Sequence, residues 1–283
     1  MNLQFEGIEK YEIQDHLVII NKNQIGKIII SWKKLEAEKL VVKIQENCNI
    51  EILELEEKNN SKIEYQIGTN SQVLYNLFAK EKANSAFRKF DLKENARLTA
   101  GCADFSSGEK TLEVEINLNE INSSVDWHLA CLAQQNDKKI FKINILHNVG
   151  LTTANMENYG VCKNNSDLEF LGDAIIKKGA KRAATKQSAK IVLFDKTCHA
   201  KASPKLCIYE NDVEASHGAS EGQINPDHVY YLMSRGLTED EAKKLITLGY
   251  LNPIVKYFND EDIKNQIVNN ITKEIWSCLM LKK

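Results

Sequence analysis

Proline is scarce in this chain. The 283 residues include only three prolines, at positions 204, 226 and 253, so none interrupts the first two hundred residues. Because proline cannot donate a ladder hydrogen bond, a long run without it is compatible with uninterrupted β-sheet. The abundance of Lys, Asn and Ile offers an equally good explanation, a coding sequence rich in A and T. The scarcity therefore permits a long stack of strands without requiring one.

Other absences limit where the protein works and what it binds. No apolar run approaches the ~18 residues of a membrane-spanning helix, and the N-terminus lacks the pattern of a signal peptide. The formal charge of −2 gives no overall attraction to nucleic acid or anionic membrane. The one basic segment, Lys177–Lys190, has no interleaved aromatic residue for base stacking. We therefore expect a cytoplasmic protein with neither a membrane nor a nucleic-acid partner.

Nucleotide-binding motifs and cysteine pairs are also missing. The sequence contains neither a P-loop nor a G-x-G-x-x-G fingerprint, so we expect the chain to bind no nucleotide by itself. The seven cysteines include no C-x-x-C pair. An odd number without regular spacing fits neither a disulfide framework nor a zinc finger. Most of these cysteines are expected to be small apolar residues in strands.

Short apolar runs recur about every ten residues along the first two hundred. Some, such as Leu112–Leu118, alternate apolar and polar residues, as a strand with one buried face does. Clusters of Asn, Ser, Gly and Lys separate the runs, as turns require. No period is strict enough to define a repeat, so a sandwich and a solenoid both stay open. The predicted strands are His16–Ile20, Lys27–Trp32, Leu40–Ile44, Ile50–Leu55, Lys62–Gln66, Val73–Phe78, Arg97–Ala100, Thr111–Leu118, Val125–Leu129 and Ile140–Leu146.

Helix signals appear only near the C-terminus. Asn225 and Pro226 suit the start of a helix that ends at Gly236. Thr238 and Glu241 form a capping box for a second helix, which we expect to stop at Gly249. A third helix carries an apolar stripe that we expect to pack partly on the β body. The stripe consists of Ile263, Ile267, Ile271, Ile275 and Leu279. These signals divide the chain into a β body over residues 1–223 and a small helical domain over residues 224–283.

One motif at this boundary resembles a known family. The run from Pro204 to Ala219 reads P-x-L-x-I-Y-x-x-D-V-x-x-S-H-G-A. With the residues up to Gly249, it is similar to the C-terminal part of the SufB/SufD proteins, scaffold subunits of the SUF iron–sulfur cluster assembly machine. It resembles the SufD branch in particular, because SufB-like chains carry Glu-His-Glu where this chain has Ser-His-Gly around His217. A fainter likeness reaches back to Asn148.

The resemblance implies a fold and a site. The fold would be a right-handed parallel β-helix core with a C-terminal helical domain, and the N-terminal part would be shorter than is usual in the family. His217, which we expect in a turn between the last strand and the first helix, would face a SufB-like subunit and help to handle transient iron or a nascent cluster. Cys198 and Cys207 are weaker candidate ligands. SufB-like chains carry an essential cysteine where this chain has Ala189, so the thiolate would come from another subunit.

The resemblance also implies partners. The helical domain would dock a SufC-like ABC ATPase through Tyr231, Leu232, Arg235, Gly236 and Leu245. We therefore expect a non-catalytic scaffold subunit that acts with a SufB-like subunit and that ATPase. One alternative is a homodimeric scaffold that does the work of both subunits, although Ala189 and the Ser-His-Gly signature count against it. Another is a carbohydrate-active β-helix enzyme, which would need paired carboxylates on one face, and no such pair is identified in the sequence.

Overall fold

The described part of the chain forms a long stack of short strands followed by three α-helices. The computed structural model describes residues 3–32, 39–55, 60–82 and 85–276. The helices are α1 Pro226–Ser234, α2 Glu239–Leu251 and α3 Glu261–Trp276, with a 3₁₀ helix at Asn252–Tyr257. The strands are β1 Leu3–Glu6, β2 Tyr11–Gln14, β3 Leu17–Ile20, β4 Ile25–Ser31, β5 Lys39–Ile44, β6 Asn49–Leu55, β7 Ser61–Ile67, β8 Gln72–Ala79, β9 Ser85–Leu92, β10 Arg97–Asp104, β11 Glu109–Leu118, β12 Ser124–Ala133, β13 Lys138–His147, β14 Thr153–Cys162, β15 Asp167–Ile176, β16 Ala183–Leu193, β17 His199–Ile208 and β18 Val213–Gln223.

From β3 onward, successive strands alternate between two sheets. Sheet A contains β1 and the even-numbered strands from β4 to β18, and sheet B contains β2 and the odd-numbered strands from β3 to β17. Neighbours are parallel except for the pairs β1–β4 and β2–β3, which close the N-terminal end. Because each parallel pair is joined through a strand of the opposite sheet, the chain winds as a parallel β-solenoid. This confirms the predicted β-helix class with helices near the C-terminus and decides against a sandwich.

All ten predicted strands are present, but the alternation signal missed others. Strand β9 was missed because Arg88 occupies an inward position between Ala86 and Phe90, and its side chain is fully buried. The two antiparallel strands β1 and β2, each only four residues long, were not predicted either.

Asparagine turns repeat along one edge of the solenoid. Asn23, Asn47, Asn70, Asn95 and Asn122 all have φ between 56° and 60°, a left-handed conformation that Asn tolerates better than most residues. Their side-chain amides stack, because Asn70 Nδ2 donates to Asn47 Oδ1 at 3.2 Å and Asn122 Nδ2 donates to Asn95 Oδ1 at 3.1 Å. The two bonded asparagines are 23 residues apart in the sequence for the pair Asn47–Asn70 and 27 residues apart for the pair Asn95–Asn122. This drift explains why the sequence shows no strict repeat.

One buried ion pair lies among the apolar residues of the solenoid interior. Glu54 and Arg88 have fully buried side chains, and Arg88 Nε donates to Glu54 Oε2 at 2.9 Å. Trp32 Nε1 and the Tyr75 hydroxyl also donate to the carboxylate, at 2.7 and 2.6 Å. Burial by itself would raise the pKa of Glu54, but Arg88 and these donors hold it below its ordinary value. The carboxylate therefore stays charged and ties β6, β8 and β9 together.

The helices cover the outward face of sheet A. Outward residues of the sheet join apolar residues of α2, the 3₁₀ helix and α3 in one buried cluster. This confirms that part of the predicted stripe packs on the β body. Leu279 lies outside the described residues, and the side chain of Ile275 is likewise not described. The cluster includes Leu53, Phe78, Ala103, Ala130, Leu132, Val161, Val192, Ala242, Leu251, Ile254, Phe258, Ile263, Ile267 and Ile271.

The helix starts follow the predicted capping chemistry. Asn225 Oδ1 accepts from the Asp227 amide at 2.8 Å. Thr238 and Glu241 form the complete capping box. The expected stop at Gly249 is wrong, because α2 continues past this residue and leads directly into the 3₁₀ helix. Burial of that continuation against sheet A outweighs the weak helix propensity of glycine.

Tyr257 anchors the helical segment to sheet A. Its carbonyl accepts from Asn76 Nδ2 at 2.8 Å, and its ring stacks on His128 with centroids 3.8 Å apart. Gly101 lies directly beneath it, since an added Cβ would come within 2.7 Å of Tyr257 Cβ. The helices are therefore held on the solenoid by a specific contact as well as by apolar burial.

We predict that Arg88→Met lowers the free energy of unfolding by about 3–5 kcal/mol, because it leaves a buried carboxylate without its cation. Chemical denaturation measures the change. Adding Glu54→Gln to the same chain should recover at least half of the loss, since the neutral amide oxygen still accepts from Trp32 and the amide NH2 can donate to the Tyr75 hydroxyl. An Arg88→Met variant as stable as the unmodified chain would show that the pair does not hold the core.

Candidate functional site

The C-terminal end of the solenoid is open. Strand β17 is the last strand of sheet B and β18 the last strand of sheet A, so each is paired on one side only. Most residues of β18 are exposed along its eleven-residue length. An edge of this length presents unpaired backbone groups to which another chain can add a strand.

His217 lies in the middle of β18. The prediction that residues 216–220 form a turn is wrong, because the strand runs from Val213 to Gln223 and pairs with β16 throughout. The Ser, Gly and Ala residues around His217 weaken the strand signal in the sequence, and pairing with β16 overrides it. Only Ile224 and Asn225 connect β18 to α1.

The side chain of His217 belongs to a row that faces the interior. Its register partner is Gln187 on β16. The row continues down sheet A through buried residues of earlier coils, and His217 is exposed because no further coil covers it. The preceding members are Tyr75, Ala100, Trp127, Met156 and Gln187.

Contacts across the last coil fix what lies opposite His217. Glu221 Oε2 accepts from the backbone N–H of Ala202 on β17 at 3.1 Å. Because the facing strands of a coil run in opposite directions, His217, four residues before Glu221, faces the region of Leu206, four residues after Ala202. One coil below, Gln187 Nε2 reaches across to the carbonyl of Lys205 at 3.3 Å. The sequence singled out His217 but gave no functional weight to Gln187 or Glu221, which line the same open end.

The two candidate cysteines lie away from His217. Cys198 is buried in the turn before β17, where its thiol donates to the Asn164 carbonyl at 3.1 Å and burial raises its pKa. Cys207 alternates with the inward Leu206 and Ile208, so it faces the outside of sheet B. The structure therefore brings neither thiol to His217. Among the described residues, no group of three His, Cys, Asp or Glu side chains has a geometry that would hold a metal ion.

A hydrolase-like pattern occurs in the same strand and does not form a catalytic site. Residues 218–222 read G-x-S-x-G, the letters of the nucleophile elbow of α/β-hydrolases. That elbow is a strained turn between a strand and a helix, whereas these five residues are extended within β18 and none has a positive φ. By alternation, Ser220 also projects from the face opposite His217.

The residues predicted to dock an ATPase are exposed except for Leu232, which is half-buried. Tyr231 and Leu245 are 57% and 48% exposed, whereas Leu232 packs against the cluster on sheet A. Arg235 lies over the Tyr231 ring, 5.3 Å from its centroid, and Gly236 ends α1 with φ +98°. Tyr230 and Met233, which the sequence reasoning missed, are also exposed. We call Tyr230, Tyr231, Met233 and Leu245 the α1–α2 patch.

Two other histidines are held inside the structure by specific contacts. His147 is fully buried and its Nδ1 lies 2.7 Å from Thr152 Oγ1. Because the Thr152 hydroxyl donates to the Val149 carbonyl, it accepts from His147, which sets the neutral tautomer. Burial lowers the pKa of His147 to about 4. His128 is held against Tyr257, as described above.

The fold and the open end together define a class of protein. It is a parallel β-solenoid whose last coil is uncovered and whose helical segment packs on one sheet. On the last coil, the side chain of His217 lies on the face that is directed to the interior. Within the described residues, no helix combines the length and apolar character needed to cross a membrane. The chain belongs to the SufBD core family, described as SUF system FeS cluster assembly, whose family model matches residues 11–250.

Individual relatives agree with the SufD-like branch. The chain is 29% identical over 170 residues to the iron–sulfur cluster assembly protein SufD of Bacillus subtilis, a match that covers 60% of this chain and 39% of that protein. It is 23% identical over 158 residues to SufD of Escherichia coli, covering 56% and 37%. A SufBD family protein of Mycobacterium tuberculosis is 30% identical over 112 residues, covering 40% and 13%. The matches thus span about two fifths or less of the length of these relatives.

We predict that the free energy of unfolding falls between pH 6.5 and 4 because of His147. The folded pKa near 4 lies below the ordinary value of 6.5, so the unfolded state binds the proton first and gains stability as the pH drops. The expected loss through this residue is up to about 3 kcal/mol.

Denaturation curves over this pH range test the effect. His147→Gln should flatten the slope, whereas the control His16→Gln, at an exposed position, should leave it unchanged. An identical slope in the His147 variant would contradict the assignment.

Proposed function

We propose that this chain is a non-catalytic scaffold subunit for iron–sulfur cluster assembly, which pairs through its open end with a related SufB-like subunit. Membership of the SufBD core family supports the process. The observation that carries the proposal is the uncovered last coil, which combines a free edge strand with His217 at its centre.

His217 supplies an imidazole to the interface. A neutral imidazole is a common ligand for iron near neutral pH. In this chain it projects from the inner face of the last coil, where a second solenoid would cover it. Iron or a nascent cluster would be cargo held between the two subunits for a limited time.

The thiolates for that cargo would come from the partner. Cys198 is buried in a turn with a raised thiol pKa, and Cys207 faces the outside of sheet B. Ala189 on β16 is buried in the interior, in register with Ala219 on β18. Its methyl side chain cannot act as a ligand. A heterodimer with a thiol-bearing SufB-like subunit therefore suits this chain better than a homodimer. Family membership leaves the carbohydrate-active alternative without support.

The α1–α2 patch would dock a SufC-like ATPase. Its tyrosines and methionine are exposed apolar side chains of a single helix, α1, and exposed apolar side chains of this kind are a feature of interaction sites. The segment is fastened to sheet A through Tyr257, Asn76 and the apolar cluster. Movement of a docked ATPase would therefore be transmitted to the solenoid, and through it to the open end.

We predict that His217→Ala lowers the amount of cluster assembled by the complex about tenfold or more, because a ligand at the interface is lost. The chain would be co-expressed with its SufB-like and ATPase partners, purified without oxygen and assayed for iron and sulfide. Thermal unfolding should not change, since His217 is exposed.

Ser216→Ala is the matched control. Ser216 neighbours His217 on the same strand but points to the opposite face, so cluster yield should stay at the unmodified level. A normal yield in His217→Ala would remove the role assigned to this histidine. Loss of yield in both variants would point to a general disturbance of β18.

A further inference from the structure

The fold divides the basic segment Lys177–Lys190 into two parts. Lys190 lies on the outward face of sheet A, with its Nζ 4.5 Å from the centroid of the Tyr250 ring. The first cations lie instead in the turn between β15 and β16, on the edge of the solenoid that carries the asparagine turns. Four exposed cations, which we call the basic turn, project there: Lys177, Lys178, Lys181 and Arg182.

Neighbouring residues fix the backbone of the basic turn. Ala180, in the middle of the turn, is fully buried in a small apolar cluster beneath it. The Lys181 carbonyl accepts from the Leu151 amide at 2.9 Å, and the Arg182 amide donates to the Asp212 carbonyl at 2.6 Å. The chain therefore holds these cations at defined positions on its surface.

The same turn already binds one carboxylate of this chain. Glu210 Oε2 accepts from the Gly179 N–H at 3.0 Å, and Glu210 Oε1 accepts from the Asn211 N–H at 2.9 Å. These backbone donors, with a smaller contribution from Lys181, hold the pKa of the exposed Glu210 carboxyl below its ordinary value. The surroundings of the basic turn thus favour a charged carboxylate.

Positive charge remains in excess at this place. The two adjacent turns, residues 177–182 and 209–212, contain four cationic and two acidic residues. Among the described residues, no member of the basic turn takes part in an ion pair. Lys22, in the first turn on the same edge, is by contrast paired with Glu46 at 2.9 Å. The excess charge is therefore available to carboxylates of another molecule.

An aromatic residue from a distant part of the sequence joins this surface. The Tyr209 N–H donates to the Ile176 carbonyl at 2.9 Å, which places Tyr209 one coil above Lys177. Tyr209 is 66% exposed. Lysines cover the rings of Tyr250 and Tyr257, whereas no described ring or cation lies over the ring of Tyr209. This ring is free to pack against a side chain of a partner.

We propose that the basic turn and Tyr209 form a docking surface for an acidic segment of a partner protein, with Asp or Glu residues beside an aromatic one. A nucleic acid fits this surface less well. Glu210 and Asp212 lie next to the cations and would repel a phosphate backbone, and Tyr209 offers a single ring for base stacking. The proposal concerns the side of the solenoid and does not depend on the proposed function.

Fluorescence anisotropy of the free chain tests this surface. The probe is a short labelled peptide of alternating Glu and Ser with one central Phe, and a reference peptide has Gln in place of Glu. The Glu peptide should bind and the Gln peptide should not, and added salt should weaken binding because exposed charges are screened. The double variant Lys178→Glu and Lys181→Glu should weaken binding about tenfold or more.

The double variant Lys22→Glu and Lys93→Glu is the matched control. It makes the same change of net charge at exposed positions in other turns of the same edge, so binding of the Glu peptide should stay at the unmodified level. Equal weakening in both double variants would reduce the effect to overall charge and overturn the proposal. Absence of binding to the Glu peptide, or tighter binding of a single-stranded RNA of equal charge, would overturn it as well.

Tyr209→Ala tests the aromatic part of the surface. It should weaken binding of the Glu peptide about threefold or more, because the central Phe loses a ring to pack against. A version of the peptide with Ala in place of Phe should bind the variant and the unmodified chain equally. Unchanged binding of the Phe peptide to Tyr209→Ala would remove Tyr209 from the docking surface.

Discussion

The parallel backbone ladder is the constraint on which the rest of this structure depends. Because each strand pairs in register with the strand one coil away, every inward side chain must fit the residue above and below it. This explains the apolar rows, the asparagine turns and the pairing of Glu54 with Arg88, in which each buried charge neutralises the other. It also means that the stack has no internal stop, so its last coil is necessarily left with free edges.

The open end and the α1–α2 patch are two separate exposed surfaces of the molecule. Sheet A connects them, since the helices pack on its outward face while its last strand, β18, carries His217. The contact of Tyr257 with Asn76, Gly101 and His128 fixes the helices to the middle of that sheet. A partner docked on the helices and a partner docked on β18 would thus act on the same sheet from two sides.

Sequence reasoning reached the fold class, the helix caps and the family, because alternation, capping boxes and the motif around His217 are local signals. It missed β9, since a buried Arg88 breaks the alternation, and it misplaced His217 in a turn, since Ser-His-Gly-Ala has little strand propensity without β16 beside it. The drifting spacing of Asn47, Asn70, Asn95 and Asn122 was present in the sequence but not strict enough to count as a repeat. The sequence could not predict whether Cys198, Cys207 and Leu232 face the interior or the outside. That orientation depends on how distant strands and helices pair, which no local sequence pattern encodes.

Photo-crosslinking from position 217 tests the central claim most directly. A photoreactive phenylalanine would replace His217 in the complex with the SufB-like subunit, and a control would carry it at the exposed position of His16, near the opposite end of the solenoid. The account predicts a crosslink to the SufB-like subunit from position 217 and none from position 16. A complex that forms normally but gives no crosslink from position 217 would contradict the assignment of the open end as the assembly interface.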